Sequence, residues 1–246
     1  SLDMVDMPRL RYYTFFTKDG LALHQSGISA LRRFLNARLN LYSNVYFHRT
    51  TRALDLHLQE IFADTLHLMY PVSLVKDLDA YLRCDEWSLF SDVQGWLSVK
   101  DKRKRKLALE WQKIHARSLK WKMSFAAEIS IDSIPRGTVF PDAQNYEAKI
   151  KTFLPAKLKK LPFRVDVATQ DPRPLNPMAV PSKLINIFNP VTGRISSEPL
   201  AEIYRFIPAR VHHFRVFALN HDHDEELSKA AEAALGNIDK SIPTNV

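Results

Sequence analysis

The stretch from Ser26 to Tyr70 constrains the fold more than any other part of the chain. It contains no proline, and its one glycine, Gly27, directly follows Ser26, a residue type that commonly caps helix N-termini. Pro71 then ends it, because proline cannot continue a helix. The stretch therefore predicts a long central helix, which would measure about 65 Å if it were continuous, at about 1.5 Å of rise per residue.

One face of this predicted helix combines arginine and tyrosine with apolar side chains. On a helical wheel of about 100° per residue, that face holds Leu31, Phe34, Arg38, Tyr42, Val45, Arg49 and Arg52, with Tyr46 at its edge. Apolar residues on the other faces indicate a helix that is buried on several sides. A guanidinium group in such surroundings needs an anionic partner. Spacing alone leaves two interpretations open, namely a carboxylate from the same fold or a phosphate from a ligand.

Other patterns before about residue 125 are mainly helical. Residues 1–25 predict either two short strands or one strand and an extended arm, joined by a turn at KDG. Further helices are predicted as follows: a short one after Pro71, one over 85–97 and one over 106–124.

After that point the sequence predicts a mixture of helices and strands. The segments FRVDVATQ, LINIFNP and RVHHFRVFAL predict strands, whereas DEELSKAAEAALGNI predicts a C-terminal helix. Residues 143–160 predict a helix interrupted at Pro155, and no regular structure is predicted for the loop at 135–141, for DPRPLNPMAVP or for the tail SIPTNV. We therefore predict an α+β, mainly α fold, with a helical region over 1–125 and a smaller α+β region over 126–246.

Charge and composition narrow the classes of function. The net charge is +8, and the run from Lys100 to Lys106 supplies +5 of it. Such a run is typical of a solvated loop or helix start, or of a contact with phosphate or nucleic acid. No aromatic residue interleaves it and no nucleic-acid-binding motif accompanies it, which argues against nucleic acid as the partner.

Location and metal chemistry are also constrained. Cys84, the single cysteine, excludes an internal disulfide framework and a cysteine-rich metal site, and it fits a cytoplasmic protein. The chain has no apolar run of membrane-spanning length, and its first ten residues do not form a signal peptide. The cluster from His221 to Asp224 is typical of a solvated loop before a helix. His48 and His57 are too far apart along one helix to share a metal.

The segment ARLNLYSNVYFHRTTRALDLHL resembles the helix that follows the catalytic core in HD-superfamily phosphohydrolases, in particular the dNTP triphosphohydrolase-like group. That group carries a pattern of the form R…Y…VY-x-H-[KR]-…-R, and the matching residues are Arg38, Tyr42, Tyr46, His48, Arg49 and Arg52. The opening DMVDMPRLRYY, the later DEWSLF, and the strand segments near the C-terminus are similar to other parts of the same group. The resemblance therefore runs along most of the chain.

The resemblance implies roles for individual residues. Arg38 is expected to contact a substrate phosphate, and Tyr46 is expected to lie against the sugar or base of the nucleotide. Tyr42 stands where some members carry a histidine near the phosphates. Arg49 and Arg52 are expected contacts of a phosphate or an effector nucleotide.

The H…HD…D metal ligands that define the family have no counterpart in this sequence. The resemblance therefore implies the C-terminal part of an HD-domain phosphohydrolase, which contributes substrate-pocket and assembly surfaces to a homo-oligomer. A divalent metal (Mg, Mn, Fe or Zn) is expected only in the complete protein, together with an N-terminal HD segment, and this chain alone is not expected to be an enzyme. Two alternatives stay open: a non-catalytic interaction or regulatory module built on that scaffold, and a basic nucleic-acid-binding protein centred on 100–106.

Overall fold

The computed structural model describes residues 5–18, 20–130, 142–170, 186–196 and 211–236, and it has the predicted α+β, mainly α fold. The helices are α1 (Met7–Tyr13), α2 (Ile28–Leu41), α3 (Arg49–Met69), α4 (Leu78–Leu82), α5 (Glu86–Gly95), α6 (Lys102–His115), α7 (Ala143–Phe153) and α8 (Asp224–Leu235). The strands are β1 (Thr14–Thr17), β2 (Gly20–His24), β3 (Lys122–Ser130), β4 (Phe163–Gln170), β5 (Asn186–Phe188), β6 (Ile195–Ser196) and β7 (Val211–Ala218). None of the helices in these ranges has the length and apolar character needed to cross a membrane.

A three-stranded sheet forms the core of the C-terminal half. Its strand order is β3-β7-β4, and β7 runs antiparallel to both neighbours. Because α7 connects β3 to β4 while β7 lies between them, the arrangement is a split βαβ unit. Helices α7 and α8 cover one face of the sheet. The buried side chains at this contact come from the two helices and from β4 and β7: Tyr146, Ile150, Phe163, Val165, Phe214, Val216, Leu227 and Ala231. The opposite face meets α3 through Phe217, which packs with Ala53, Leu56 and Trp121.

A second sheet joins strands near the N-terminus to strands within 186–196. Its order is β1-β2-β5-β6, and β2 pairs in parallel with β5, so that Leu23 lies opposite Ile187. The sheet therefore takes strands from both predicted regions, 1–125 and 126–246. Leu31 and Leu35 of α2 pack on it. Gly27 allows this approach, since a Cβ atom at that position would lie 2.6 Å from Cδ1 of Leu23.

The far side of α3 packs against α5 and α6. The buried side chains of this layer are Ile61, Val93, Trp96, Ala108 and Trp111. The indole N–H of Trp111 donates a hydrogen bond to Oγ1 of Thr65 at 2.9 Å. Helix α3 is thus held between this helical layer and the three-stranded sheet, as its several apolar faces predict.

The predicted long helical stretch is divided into two helices. Helix α2 ends at Leu41, a π-helical turn covers Tyr42–Tyr46, and the backbone then leaves helical geometry at Phe47 and His48. Helix α3 begins after His48, whose Nδ1 accepts a hydrogen bond from the Thr50 N–H at 3.3 Å. The break contains neither proline nor glycine.

The predicted ends of two helices also need correction. The N-cap of α2 is Gly27, without a side-chain hydrogen bond, so that Ser26 is not the cap. Helix α6 begins at Lys102 and ends at His115, whereas the sequence predicted 106–124. Its start is fixed by Asp101, whose carboxylate accepts hydrogen bonds from the N–H groups of Arg103 and Lys104. The run of cations is therefore a helix start.

Most other local predictions are confirmed. The end of α3 before Pro71, α5, the helix break near Pro155, strands β4 to β7 and α8 all lie where the sequence places them. Of the two alternatives for 1–25, the pair of strands is the correct one, whereas α1 was not predicted. The predicted loop at 135–141, the proline-rich segment 171–181 and the tail 241–246 lie outside the described residues.

Candidate functional site

Three of the predicted site residues meet at the π-helical turn. The guanidinium carbon of Arg38 lies 4.9 Å from the centroid of the Tyr42 ring, and the Tyr42 and Tyr46 rings are 5.2 Å apart. The turn is closed by the Phe47 N–H, which donates to the Tyr42 carbonyl oxygen five residues earlier at 2.8 Å. This π-helical turn ends α2, because the backbone leaves helical geometry at Phe47. We refer to Arg38, Tyr42 and Tyr46 as the Arg–Tyr stack.

The Arg–Tyr stack is open to solvent. Tyr46 is 51% exposed, and both Arg38 and Tyr42 are partly exposed. Arg38 makes no ion pair with a carboxylate anywhere in the described ranges. Its contact with the face of Tyr42 leaves the edge of the guanidinium group, where the N–H donors lie, able to meet an anion.

Arg52 has a different environment, because its partner is a carboxylate. Its Nε lies 3.0 Å from Oδ2 of Asp166 and its Nη2 lies 2.5 Å from Oδ1, which makes a two-pronged contact. Its Nη1 also donates to Asp55 at 2.9 Å. These carboxylates, chiefly Asp166, raise the pKa of Arg52. The question that spacing left open is therefore answered for Arg52 by a carboxylate.

Arg49 lies apart from the Arg–Tyr stack. It is exposed at the start of α3 and has no ion pair within the described residues. It borders a cavity of about 280 Å³ that is also lined by Trp121, Lys122 and His221. The structure thus brings Arg38, Tyr42 and Tyr46 together, whereas Arg49 lines this cavity.

Strand β7 supplies two contacts to the turn that the sequence analysis missed. Nη2 of Arg215 donates a hydrogen bond of 2.6 Å to the carbonyl oxygen of Phe47. The Phe47 ring lies between those of His213 and Tyr42, at centroid distances of 5.4 and 5.6 Å. Alternation along the strand places His213 and Arg215 on one face, which is a signal that the sequence does contain. Their partner at Phe47 is 168 positions away from Arg215, and no local pattern indicates it.

Burial and charge act in opposite directions on Arg215. Only 6% of the residue is exposed, and this burial lowers the pKa of the Arg215 guanidinium, while the negative charge of Asp166 opposes the shift. Nη1 of Arg215 lies 3.9 Å from Oδ2 of Asp166. Asp166 therefore serves two guanidinium groups, those of Arg52 and Arg215, in a buried position.

Glu128 makes the stability of this region dependent on pH. Nδ1 of His213 lies 3.1 Å from Oε1 of Glu128, and the hydrogen bond from His213 lowers the pKa of Glu128 more than burial raises it. A carboxylate whose pKa is lower in the folded state stabilises the fold above its unfolded-state pKa of about 4.3. That contribution disappears as the pH falls through the folded-state pKa.

We expect Glu128→Gln to reduce the loss of thermal stability between about pH 5 and pH 3. The measurement is the melting temperature of wild type and variant across this interval by circular dichroism. Glu232→Gln is the control, because Glu232 is exposed on α8 and has no ion pair among the described residues. Parallel curves for wild type and Glu128→Gln would show that Glu128 does not carry the effect.

The described residues contain no cluster of three or more His, Cys, Asp or Glu side chains that could hold a metal ion. His57 is buried and lies 2.8 Å from Glu110, His48 caps α3, and His221 lies 2.7 Å from Asp224 at the surface. These histidines serve packing and capping. We assign no metal-dependent step to the described side chains.

Two larger cavities lie away from the Arg–Tyr stack. One, of about 530 Å³, is lined by residues of α3 and α6, among them the charged side chains of Glu60, Asp64, Arg103 and Lys106. The other, of about 860 Å³, lies between α5 and α6 and is lined by Trp87, Phe90, Trp111 and His115, among others. Neither includes a residue that the resemblance assigns to the substrate.

Comparison with known proteins finds a solved structure with a similar fold. No protein-family model and no curated protein matches the sequence. The crystal structure of a hypothetical protein from Aquifex aeolicus, at 2.0 Å resolution, is similar to this chain with a TM-score of 0.58 and 21% sequence identity. The match covers 94% of this chain and 51% of the other, so that this chain spans about half the length of the Aquifex protein. At this level of identity the likeness shows a shared fold and nothing about activity.

Proposed function

We propose that this chain is the C-terminal part of an HD-type, metal-dependent nucleotide phosphohydrolase acting on deoxynucleoside triphosphates. In this proposal the Arg–Tyr stack lines the substrate pocket. The observation that carries the proposal is the environment of Arg38, whose guanidinium group rests on Tyr42 beside the exposed Tyr46 and pairs with no carboxylate in the described ranges.

The chemistry of these side chains suits a nucleotide. A guanidinium group presents N–H donors in a planar fork that matches two phosphate oxygens. Tyrosine offers a flat apolar face for a base or sugar and a hydroxyl for a hydrogen bond. The contact between Arg38 and Tyr42 is worth about 0.5–1 kcal/mol at an exposed site, and it limits the orientations that the guanidinium group samples. A phosphate would therefore meet a partly ordered group.

The remaining parts of the proposal follow from the resemblance to the family. The divalent metal, which would activate the attacking water in the complete protein, belongs to the H…HD…D ligands of an N-terminal segment. The complete protein would be a cytoplasmic homo-oligomer, and Cys84 supports a reducing compartment. Arg49, exposed and unpaired within the described residues, would contact a phosphate or an effector nucleotide from outside the stack.

Replacing Arg38 by alanine tests the proposal. A hydrogen bond to a charged group contributes about 1.5–3 kcal/mol, so that Arg38→Ala should weaken binding of a deoxynucleoside triphosphate by roughly 10- to 100-fold. The measurement is calorimetric titration of the chain with dATP, dGTP, dCTP and dTTP at one salt concentration. In the complete protein the same variant should raise KM for the triphosphate or lower kcat.

Arg33→Ala is the matched control for this experiment. Arg33 is exposed on the same helix, makes no ion pair within the described residues and lies about 140° around the helix from Arg38. Its loss changes the net charge by the same amount and should leave the affinity unchanged. Equal affinities for wild type and both variants, or equal losses in both variants, would overturn the role of Arg38.

A second candidate function is supported by Arg52. If the arginines of the long helical stretch serve the fold, their partners should be carboxylates of the same chain, and Asp166 is such a partner for Arg52. This favours a non-catalytic regulatory module built on the same scaffold. Nucleotide binding without hydrolysis in the complete protein would support this module over the enzyme.

A further inference from the structure

The carbonyl oxygen of Phe47 lies at the end of the π-helical turn and accepts a hydrogen bond from Arg215. The last carbonyl groups of a helix lack partners within it and carry a partial negative charge that attracts cations. Phe47 follows the π-helical turn directly and has φ −102° and ψ 16°, so that its carbonyl group points away from the continuing helix. Nη2 of Arg215 meets this oxygen at 2.6 Å.

Arg215 itself lies beside a buried carboxylate, that of Asp166. It lies opposite Asp166 in the register of β4 and β7, and Asp166 in turn binds Arg52 with both carboxylate oxygens. Asp166 is linked to Arg215 by charge attraction across 3.9 Å and not by a hydrogen bond. Since Asp166 and Arg215 are both buried, this attraction is screened little by salt.

Phe47 also contacts the Arg–Tyr stack. The Phe47 ring touches that of Tyr42, which contacts both Arg38 and Tyr46. On its other side the Phe47 ring touches His213, two residues before Arg215 on the same strand. Strand β7 thus contacts Phe47 twice, once at the backbone and once at the ring, and a shift of Phe47 would carry Tyr42 with it.

We infer that Arg215 is a positioning residue for nucleotide binding, which acts on the Arg–Tyr stack through the carbonyl group of Phe47. The inference rests on the proposed function, because it assigns to the C-terminal sheet the placement of the proposed substrate contacts. Arg215 is buried and does not touch the ligand. The orientation of Arg38 and Tyr42 depends on a residue of β7, which lies far from them in sequence.

The experiment compares Arg215→Met, Arg215→Lys and Arg164→Met in calorimetric titrations with a deoxynucleoside triphosphate. Methionine keeps most of the side-chain volume and removes every donor, and we expect affinity to fall roughly tenfold. Lysine keeps the charge and one donor nitrogen, and it should restore part of the affinity. Arg164 is the control, since it lies on the neighbouring strand β4 and contacts Glu60 instead of Phe47. Titrations are made at a temperature at which circular dichroism shows each variant to be folded.

A double-mutant cycle separates positioning from a general loss of structure. If Arg215 acts through the stack, the losses from Arg38→Ala and Arg215→Met will not add, because the second variant misplaces a group that the first has removed. Additive losses would overturn the inference. Phe47→Leu removes the ring contact without a change of charge and should also weaken binding, which keeps the inference open to refutation if Arg215→Met does not fold.

A readout without nucleotide keeps the inference distinct from the proposed function. In protein labelled with fluorotyrosine, the ¹⁹F signals of Tyr42 and Tyr46 should shift in Arg215→Met and stay unchanged in Arg164→Met. Unshifted signals would overturn the inference even where Arg38→Ala weakens binding. Shifted signals in a chain whose affinity does not depend on Arg38 would instead remove the proposed function and leave Arg215 as the residue that orders the turn.

Discussion

Replacement of Asp166 by alanine is expected to lower the free energy of unfolding by about 3–5 kcal/mol, the usual cost of removing one partner from a buried ion pair. Asp166 is 4% exposed and accepts hydrogen bonds from Arg52, while Arg215 lies 3.9 Å away. The variant would leave both guanidinium groups without their shared anion. Because Arg215 is buried, little water can replace the lost carboxylate around its guanidinium group. The same burial lowers the pKa of Arg215.

The measurement is urea unfolding together with a thermal melt. For a chain of this length, the expected loss corresponds to roughly 6–20 °C in melting temperature. Asp55→Ala is the matched control, since Asp55 binds the same Arg52 but its side chain is 41% exposed, and it should cost at most about 1 kcal/mol. Similar losses for the two variants would show that burial does not decide the strength of these pairs.

Trp111→Ala is expected to destabilise the helical layer by about 3–5 kcal/mol, the range for removing a large aromatic side chain from a core. Trp111 is 4% exposed and packs among the buried side chains between α3 and α6. Its indole N–H also donates to Thr65, and this hydroxyl would lose its donor in the variant. The cavity left behind cannot close fully, because α3 is held on its other side by the three-stranded sheet.

Trp87→Ala provides the control for this prediction. Trp87 is 76% exposed on α5, so that the same substitution there should change the free energy of unfolding by less than about 0.5 kcal/mol. Chemical unfolding of both variants, followed by far-UV circular dichroism, measures the difference. A loss for Trp111→Ala as small as that for Trp87→Ala would contradict the description of this layer as a packed core.

Elements with a local signal could be predicted, and those set by distant contacts could not. Helix α5, strand β7 and helix α8 each carry their own periodicity and end signals, such as Gly236 after α8, and their positions followed from the sequence. The start of α6 was also readable, because Asp101 is a favoured N-cap. The predicted start at Lys106 lies four residues after the observed start at Lys102.

The candidate site divides in the same way. Helical spacing already placed Arg38, Tyr42 and Tyr46 near one another, whereas nothing in the segment indicates that the helix breaks after Tyr46. The carbonyl oxygen at the break accepts a hydrogen bond from Arg215, 168 positions later, and the partner of Arg52 is Asp166, 114 positions later. The periodicity of a helix indicates which of its faces is apolar. It does not indicate which charged residue of another element will pair with that helix.

The parallel pairing of β2 with β5 has a consequence for synthesis on the ribosome. Leu23 meets Ile187 only after roughly 160 further residues have been made, which takes roughly 8–30 s at about 5–20 residues per second. During that interval the edge of β2 that later pairs with β5 is unpaired, and the apolar side chains of α2 that pack on β5 lack part of their cover. The N-terminal sheet would therefore be completed only late in translation.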